Sequence, residues 1–240
     1  MIDIGKMTLG DLVISYPKAA ILFERVHLDF CCKGNRKLED VLINDQSGLV
    51  EVKSELEKII LGAVFTEPDF KKYSLAQLID HIVITHHQYV KENMPVIQQH
   101  LTKVVAKHGE KYPYMKTIAG LFEEISKDFE NHMMKEELIL FPKIIKVEIN
   151  DEISSFISMK TTIKVMELEH EDAGKTMDEI RVLCHDYSVP ENACITFRIV
   201  MDELKMFEAD LHKHVHLENN ILFPKAIELQ KKQSDTFSPK

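Results

Sequence analysis

Apolar residues recur along most of this chain at the three-and-four spacing of one helix face, and no stretch alternates apolar and polar as a strand does. The N-terminal part reads as short helices. Thr8 is a plausible N-cap for Leu9-Gly-Asp-Leu-Val-Ile14, and Pro17 fits the first turn of a second helix holding Ala20, Leu22, Phe23 and Val26. Asp29-Phe-Cys-Cys-Lys-Gly-Asn35 reads as a turn, and Leu38 to Ile43 and Val50 to Leu61 as two more short helices. Thr66-Glu-Pro-Asp-Phe70 reads as a linker.

Four long helical stretches follow. The first runs from about Ser74 to His108, with a kink at Pro95 and Gly109 as its glycine cap. The second runs from about Tyr114 to Lys146, with a kink or early stop at Pro142. The third runs from about Ser154 to Asp186 and breaks at Ser188-Val-Pro190. The fourth runs from about Glu191 to Lys231, with Pro224 in the place Pro142 holds in the second. The expected fold is all-α: a small helical N-terminal domain (1–66), an up-down-up-down four-helix bundle (67–232) and a flexible tail (233–240).

Composition narrows the class. The 240 residues suit one large domain or a medium and a small one, and the 45% hydrophobic content supports a buried core. A net charge of −9 without a basic stripe argues against nucleic acid or an anionic membrane as partner. No apolar run approaches the ~18 residues that span a bilayer, and the start Met-Ile-Asp-Ile-Gly-Lys lacks the pattern of a secretory signal. The expected location is the cytoplasm. Four cysteines, two of them adjacent and none in C-x-x-C spacing, form neither a disulfide framework nor a zinc ribbon.

Histidine is the unusual component, and it falls in a repeat. His132-Met-Met-Lys-Glu136-Glu-Leu-Ile-Leu-Phe-Pro-Lys143 is echoed, 82 residues on, by His214-Val-His-Leu-Glu218-Asn-Asn-Ile-Leu-Phe-Pro-Lys225. A His and a Glu four apart stand on one helix face. Alone, such a pair is ordinarily a surface contact worth a few tenths of a kcal/mol. The repeat extends further, because His87 precedes His132 by 45 residues and His170 precedes His214 by 44. Each half is then a helix with one His followed by a helix with His-x-x-x-Glu. A duplicated hairpin of this kind brings His87, His132, Glu136, His170, His214 and Glu218 into one space. Two imidazoles per ion with two bridging glutamates suit a pair of iron ions, joined by a solvent-derived oxo or hydroxo bridge. Ferritin-like bundles use Glu-x-x-His instead, which separates this chain from them.

These stretches carry a resemblance. The bundle is similar to hemerythrin-like domains, and the whole chain resembles the repair of iron centres family of di-iron proteins. The matching segments are Asp29-Phe-Cys-Cys-Lys-Gly34, Asp80-His-Ile-Val-Ile-Thr-His-His87, His132-Met-Met-Lys-Glu-Glu137, Val165-Met-Glu-Leu-Glu-His170 and His214 to Pro224. The resemblance implies the same six ligands, with both glutamates bridging. It implies repair of iron–sulfur clusters damaged by nitrosative or oxidative stress, with damaged iron–sulfur proteins as partners and nitric oxide or dioxygen as small ligands. A homodimer is compatible with the family, although no interface signature stands out.

Two positions depart from the family pattern. His86 stands where an aromatic residue is usual, so His86 and His87 compete for one ligand position; its place in the motif favours His87. His216 lies two residues from His214 and so points away from it, as a flanking residue. His108 and Glu169 are candidates for the outer shell, and Glu169 for an access path. His81 suits packing or outer support, while His27, His100, His185 and His212 read as ordinary. Cys184 and Cys194 read as structural. For Cys31 and Cys32 the residues alone leave a buried apolar role open; the resemblance implies a thiol function. Iron donation to an apo-cluster is the leading expectation. Reduction of nitric oxide at the di-iron site, and an oxygen- or nitric-oxide-sensing module, are the alternatives.

Overall fold

The computed structural model describes residues 3–61, 68–149 and 156–237, and among them there is no β-strand. The Thr66–Glu67 part of the expected linker, the expected start of the third long helix near Ser154 and the last three residues lie outside the described ones.

Among its described residues the N-terminal module has four α-helices after a 3-10 turn at Ile4–Lys6: α1 (Leu9–Ser15), α2 (Ala19–Arg25), α3 (Leu38–Val41) and α4 (Gln46–Leu61). Thr8 caps α1, its hydroxyl accepting from the Asp11 N–H. The Cys-Cys turn folds back between α2 and α3. The Leu9 N–H donates to the Arg36 carbonyl and the Gly10 N–H to the Gly34 carbonyl.

The bundle begins with α5 (Leu75–Ile82), whose start carries a capping box from Ser74 and Gln77. It continues through α6 (Gln88–His108), α7 (Tyr114–Lys135), α8 (Phe141–Glu148), α9 (Phe156–Leu183), α10 (Ile195–Leu217) and α11 (Phe223–Phe237). Three of the junctions are not breaks. A π-helical turn joins α5 to α6 (Val83–His87), α7 to α8 (Glu136–Leu140) and α10 to α11 (Glu218–Leu222). The four long rods pack in a ring, α6 on α7, α7 on α9, α9 on α10 and α10 on α6, as an antiparallel four-helix bundle does.

Apart from shifts of a few residues at helix ends, such as α4 starting at Gln46 and α10 at Ile195, three details differ from the sequence expectation. Pro95 lies inside α6, which runs through it; the irregularity of the first rod is the π turn eight residues before α6 reaches that proline. Gly109 closes α6 in right-handed conformation, φ −65°, so it is not there for a left-handed cap. A Cβ on it would meet the Val105 carbonyl oxygen at 2.5 Å, so close approach demands the glycine. The last helix runs to Phe237 instead of fraying from 233, because the Gln233 amide donates to the Val147 carbonyl at 2.7 Å and Gln230 is buried.

The core falls into two apolar clusters. One includes Met94, Ile97, Phe122, Phe129 and Leu211 and extends into the N-terminal module through Leu12, Phe23 and Phe30. The other gathers Leu78, Ile82, Phe141, Met166, Leu222 and Phe223 at the opposite end. The repeated histidines lie between them in the sequence of every rod, so a polar layer is sealed above and below by packed hydrocarbon.

Candidate metal centre

His87 enters this layer from the first π turn, His132 and Glu136 from α7 and the π turn after it, His170 from α9, and His214 and Glu218 from α10 and its π turn. All six are buried, at 0–1% exposure. His132 and Glu136 keep α-helical spacing, since the Glu136 N–H still bonds back to the His132 carbonyl; Glu218 does the same to His214. The π turn begins after each glutamate.

The π turns explain the shared Leu-Phe-Pro-Lys ending. In an α-helix a residue five positions on lies about 140° round the axis, at roughly 100° per residue. A π turn bonds residue i+5 back to residue i and stacks them. The Phe141 N–H bonds to the Glu136 carbonyl, and the Phe223 N–H to the Glu218 carbonyl. Each phenylalanine is thereby swung onto a histidine: Phe141 stacks on His87 at 5.7 Å and Phe223 on His170 at 6.2 Å. Pro142 and Pro224 lack the N–H that an α-type bond to Leu138 or Asn220 would need, which favours the wider turn.

The donor atoms divide into two pockets. His87 and His214 face each other with Nε2 atoms 3.1 Å apart; His132 and His170 do so at 2.9 Å. Each glutamate gives one oxygen to each pocket. Glu136 Oε1 lies 3.3 Å from His132 and its Oε2 3.4 Å from His87. Glu218 Oε1 lies 3.2 Å from His214 and its Oε2 3.1 Å from His170. Within each pocket two imidazoles and two carboxylates have donor atoms within 4.8 Å of one another.

The surroundings set the tautomers. His87 Nδ1 donates to Glu137 at 2.7 Å, His132 Nδ1 to Glu169 at 2.9 Å and His170 Nδ1 to Asn219 Oδ1 at 2.9 Å. A carboxylate can only accept, so Nδ1 carries the proton and Nε2 turns its lone pair inward. Lys91 steadies Glu137, and Lys135 steadies Glu169. His214 Nδ1 has no hydrogen-bond partner; instead its ring stacks on His86, 5.7 Å away and 7° from parallel. Here the two halves differ, for Glu169 precedes His170 as His86 precedes His87, yet His86 turns its Nδ1 to Asp210 at 2.9 Å.

All four oxygens of Glu136 and Glu218 are buried and accept no hydrogen bond. Lone pairs of nitrogen and oxygen thus converge on two points, an arrangement that only cations resolve. Without ions, protons partly serve. Burial opposes a charge on His132, yet Glu136, Glu169 and Glu218 overcome it and raise its pKa to about 10. Burial and Glu218 push Glu136 up, but the His132 and His87 imidazoles outweigh them and hold it below the ordinary carboxylate range. Glu218 is held down in the same way against its burial, by His214 and His170. His132 and Lys135 lower Glu169 to about 2. Burial keeps His214 low. The donor set of nitrogen and carboxylate oxygen, with no thiolate, fits transition-metal ions and fits iron among them.

Of the other candidates, Glu169 lies at the rim of a groove of about 540 Å³ between α7 and α9, lined also by Asn131, His132, Lys135 and Asp172. His108 is not in the outer shell: it ends α6, about 30 Å from His87 at roughly 1.5 Å per residue, and its Nε2 contacts Cys194 Sγ. His81 packs on Phe70 at 4.8 Å and edge-on to His86 at 5.8 Å. His216 points away from the cluster, yet it is buried under the Cys-Cys turn with its ring 5.6 Å from Phe30. Burial lowers it to about 4. Glu137 and Asn219 were not singled out in the sequence; each follows a repeated glutamate, and that shared place in the repeat was the available signal.

Cys31 and Cys32 are free, with sulfurs 3.8 Å apart. Asp29 shapes the turn by accepting from the N–H groups of Cys32 and Lys33. Asn220, two residues past Glu218, donates to the carbonyls of Phe30 and Cys31. A Cβ at Gly34 would meet Phe30 O at 2.3 Å and Asn220 Oδ1 at 2.6 Å, so glycine lets the turn close over that amide. The turn is therefore seated on the π turn that carries Glu218.

Comparison with known proteins agrees with this geometry. Residues 78–226 match the hemerythrin HHE cation binding domain, and residues 5–60 match a domain of unknown function, DUF542. The chain is 32% identical over 219 residues to the iron-sulfur cluster repair protein YtfE of Enterobacter sp. (strain 638) and to that of Citrobacter koseri. It is equally similar to that of Escherichia coli O81. Each match covers 91% of this chain and 96% of the relative. Among the described residues no helix is long and apolar enough to cross a membrane. The chain belongs to the hemerythrin HHE cation-binding family, in the branch that includes these iron-sulfur cluster repair proteins.

Proposed function

We propose that this protein repairs iron–sulfur clusters damaged by nitrosative or oxidative stress, in the cytoplasm, by giving up iron held in the histidine–glutamate layer. The observation that carries the reading is the sharing of four buried, unbonded carboxylate oxygens between two imidazole pairs. His87 and His214 would hold one iron and His132 and His170 the other, with Glu136 and Glu218 serving both across a solvent-derived oxo or hydroxo bridge. When bound, the irons supply the cargo for an apo-cluster and open positions for nitric oxide or dioxygen.

The chain's own residues do the rest. Glu137, Glu169 and Asn219 hold the Nδ1 protons and keep Nε2 free. The packed clusters on either side exclude bulk water along the bundle axis. The groove at Glu169 and Lys135 reaches His132 from outside and provides the route for an ion to leave. The N-terminal module (1–66) acts as docking or transfer element through Cys31 and Cys32, while the bundle (67–232) stores the iron. Damaged iron–sulfur proteins are the partners.

The test loads the full chain with ⁵⁷Fe and mixes it with a hydratase whose [4Fe–4S] cluster nitric oxide has damaged. The expected result is ⁵⁷Fe in the repaired cluster and a matching loss from the donor. Recovery of the hydratase while the label stays on this protein overturns donation.

A further inference from the structure

A second pairing of reactive groups lies far from the metal centre. His108 ends α6 and Cys194 occupies the N-cap of α10, and packing of these two helices brings Nε2 within 3.1 Å of Sγ. Tyr112 and Phe197 hold the imidazole, their rings 6.5 and 6.4 Å from it and 5.3 Å from each other. The residues are 86 positions apart, so the contact is made by the bundle and not by local chain geometry.

The other thiols are placed differently. Cys31 is buried against Cys32 and the Asp29 carboxylate, which together keep its proton on. Cys184 is buried, is pushed up to about 11 by that burial, and turns its Sγ to the Arg181 carbonyl. Cys32 is half-buried and its sulfur faces that of Cys31. Cys194 is half-buried as well, so a reagent can reach it, but it alone of the four cysteines has an imidazole nitrogen within 3.1 Å of its sulfur and the N-terminal end of a 23-residue helix next to it. Thiols act as nucleophiles in that setting.

We propose that Cys194 with His108 is a thiol-exchange site that takes the disulfide of a low-molecular-weight thiol and becomes S-thiolated. Sγ attacks one sulfur of R–S–S–R while its proton passes to His108 Nε2. The Cys194 Sγ–S bond forms and the reagent's S–S bond breaks. The departing thiolate takes the proton from Nε2 and leaves as RSH. Cys194 is oxidised, one reagent sulfur is reduced, and no further reactant is needed. Cys184, the cysteine nearest in sequence, faces its own backbone, so the adduct persists instead of resolving into an internal disulfide. The site is independent of the iron reading.

The test incubates the iron-loaded full chain with limiting glutathione disulfide and maps the adducts by peptide mass spectrometry over time. The expected first adduct is on Cys194. In His108→Gln its rate falls by about tenfold or more, as loss of a proton carrier does, and its pH profile changes, while iron content and helicity stay as in the unaltered chain. Modification of Cys31 or Cys32 ahead of Cys194 overturns the proposal. So does a folded His108→Gln that reacts at the original rate with the original pH profile. Should the His108 variants fail to fold, the order of modification in the unaltered chain decides alone.

Discussion

Glu136 and Glu218 belong to neither pocket separately, and this sets what single substitutions do. Glu136→Ala removes an oxygen from both pockets and leaves four imidazoles facing one carboxylate. His87→Ala removes one nitrogen from one pocket. Both variants lose the coupled di-iron signature in Mössbauer spectra, with iron content falling further in Glu136→Ala, as metal analysis reads. Glu169 acts through His132: Glu169→Gln removes the charge opposite Nδ1, and iron affinity drops about 10- to 100-fold, the usual cost of such outer partners, measured by competition with a chelator. Cys31→Ser with Cys32→Ser leaves the di-iron spectrum intact and weakens repair; loss of the spectrum would reject the division of labour between module and bundle. The six converging residues were legible because the repeat gave each half nearly the same spacing, 45 and 44 residues between its histidines. Their outer partners were less so. Glu137 and Asn219 differ in type although they hold equivalent places, and His86 turned to Asp210, 124 positions away, through packing that no local pattern records.

At the level of elements, the proline positions were legible and their effect only partly. Pro142 reads as a kink or early stop, with Pro224 in the matching place, and the structure sets both just past π turns. The first π turn, Val83–His87, has no proline behind it and left no mark in the sequence. Helix α9 carries His170 without any such turn, so the duplicated halves are not copies in backbone. Pro224→Ala restores the N–H that an α-type bond needs, so the π turn relaxes, Phe223 swings off His170 and iron affinity falls. Overall stability holds or rises, which thermal melts alongside iron titration would show. Phe141→Ala instead costs about 3–5 kcal/mol of stability from the core and also loosens His87.

Across the whole molecule, titration opposes metal. In the ion-free protein His132 is raised to about 10, so its contribution is complete below the unfolded value of about 6.5 and is lost as pH rises through 10. Glu169, lowered to about 2, contributes above its ordinary range near 4 and is lost as pH falls through 2. The ion-free protein is therefore steadiest in mildly acidic solution and weakens toward alkaline pH. Ions must displace the protons from the imidazoles, so the loaded protein gains with rising pH. Melts of the two forms from pH 5 to 9 should show slopes of opposite sign, and loading in weak buffer should release acid.

The divided glutamates have one more consequence. An ion in either pocket fixes the orientation of both carboxylates, and so completes half of its neighbour's binding site in advance. Loading is then cooperative: ferrous titration of the empty protein should be sigmoidal, with half-filled molecules scarce at the midpoint. On the donation reading, such a protein would meet a client cluster as a two-ion packet, full or empty, whose first departure makes the second easier.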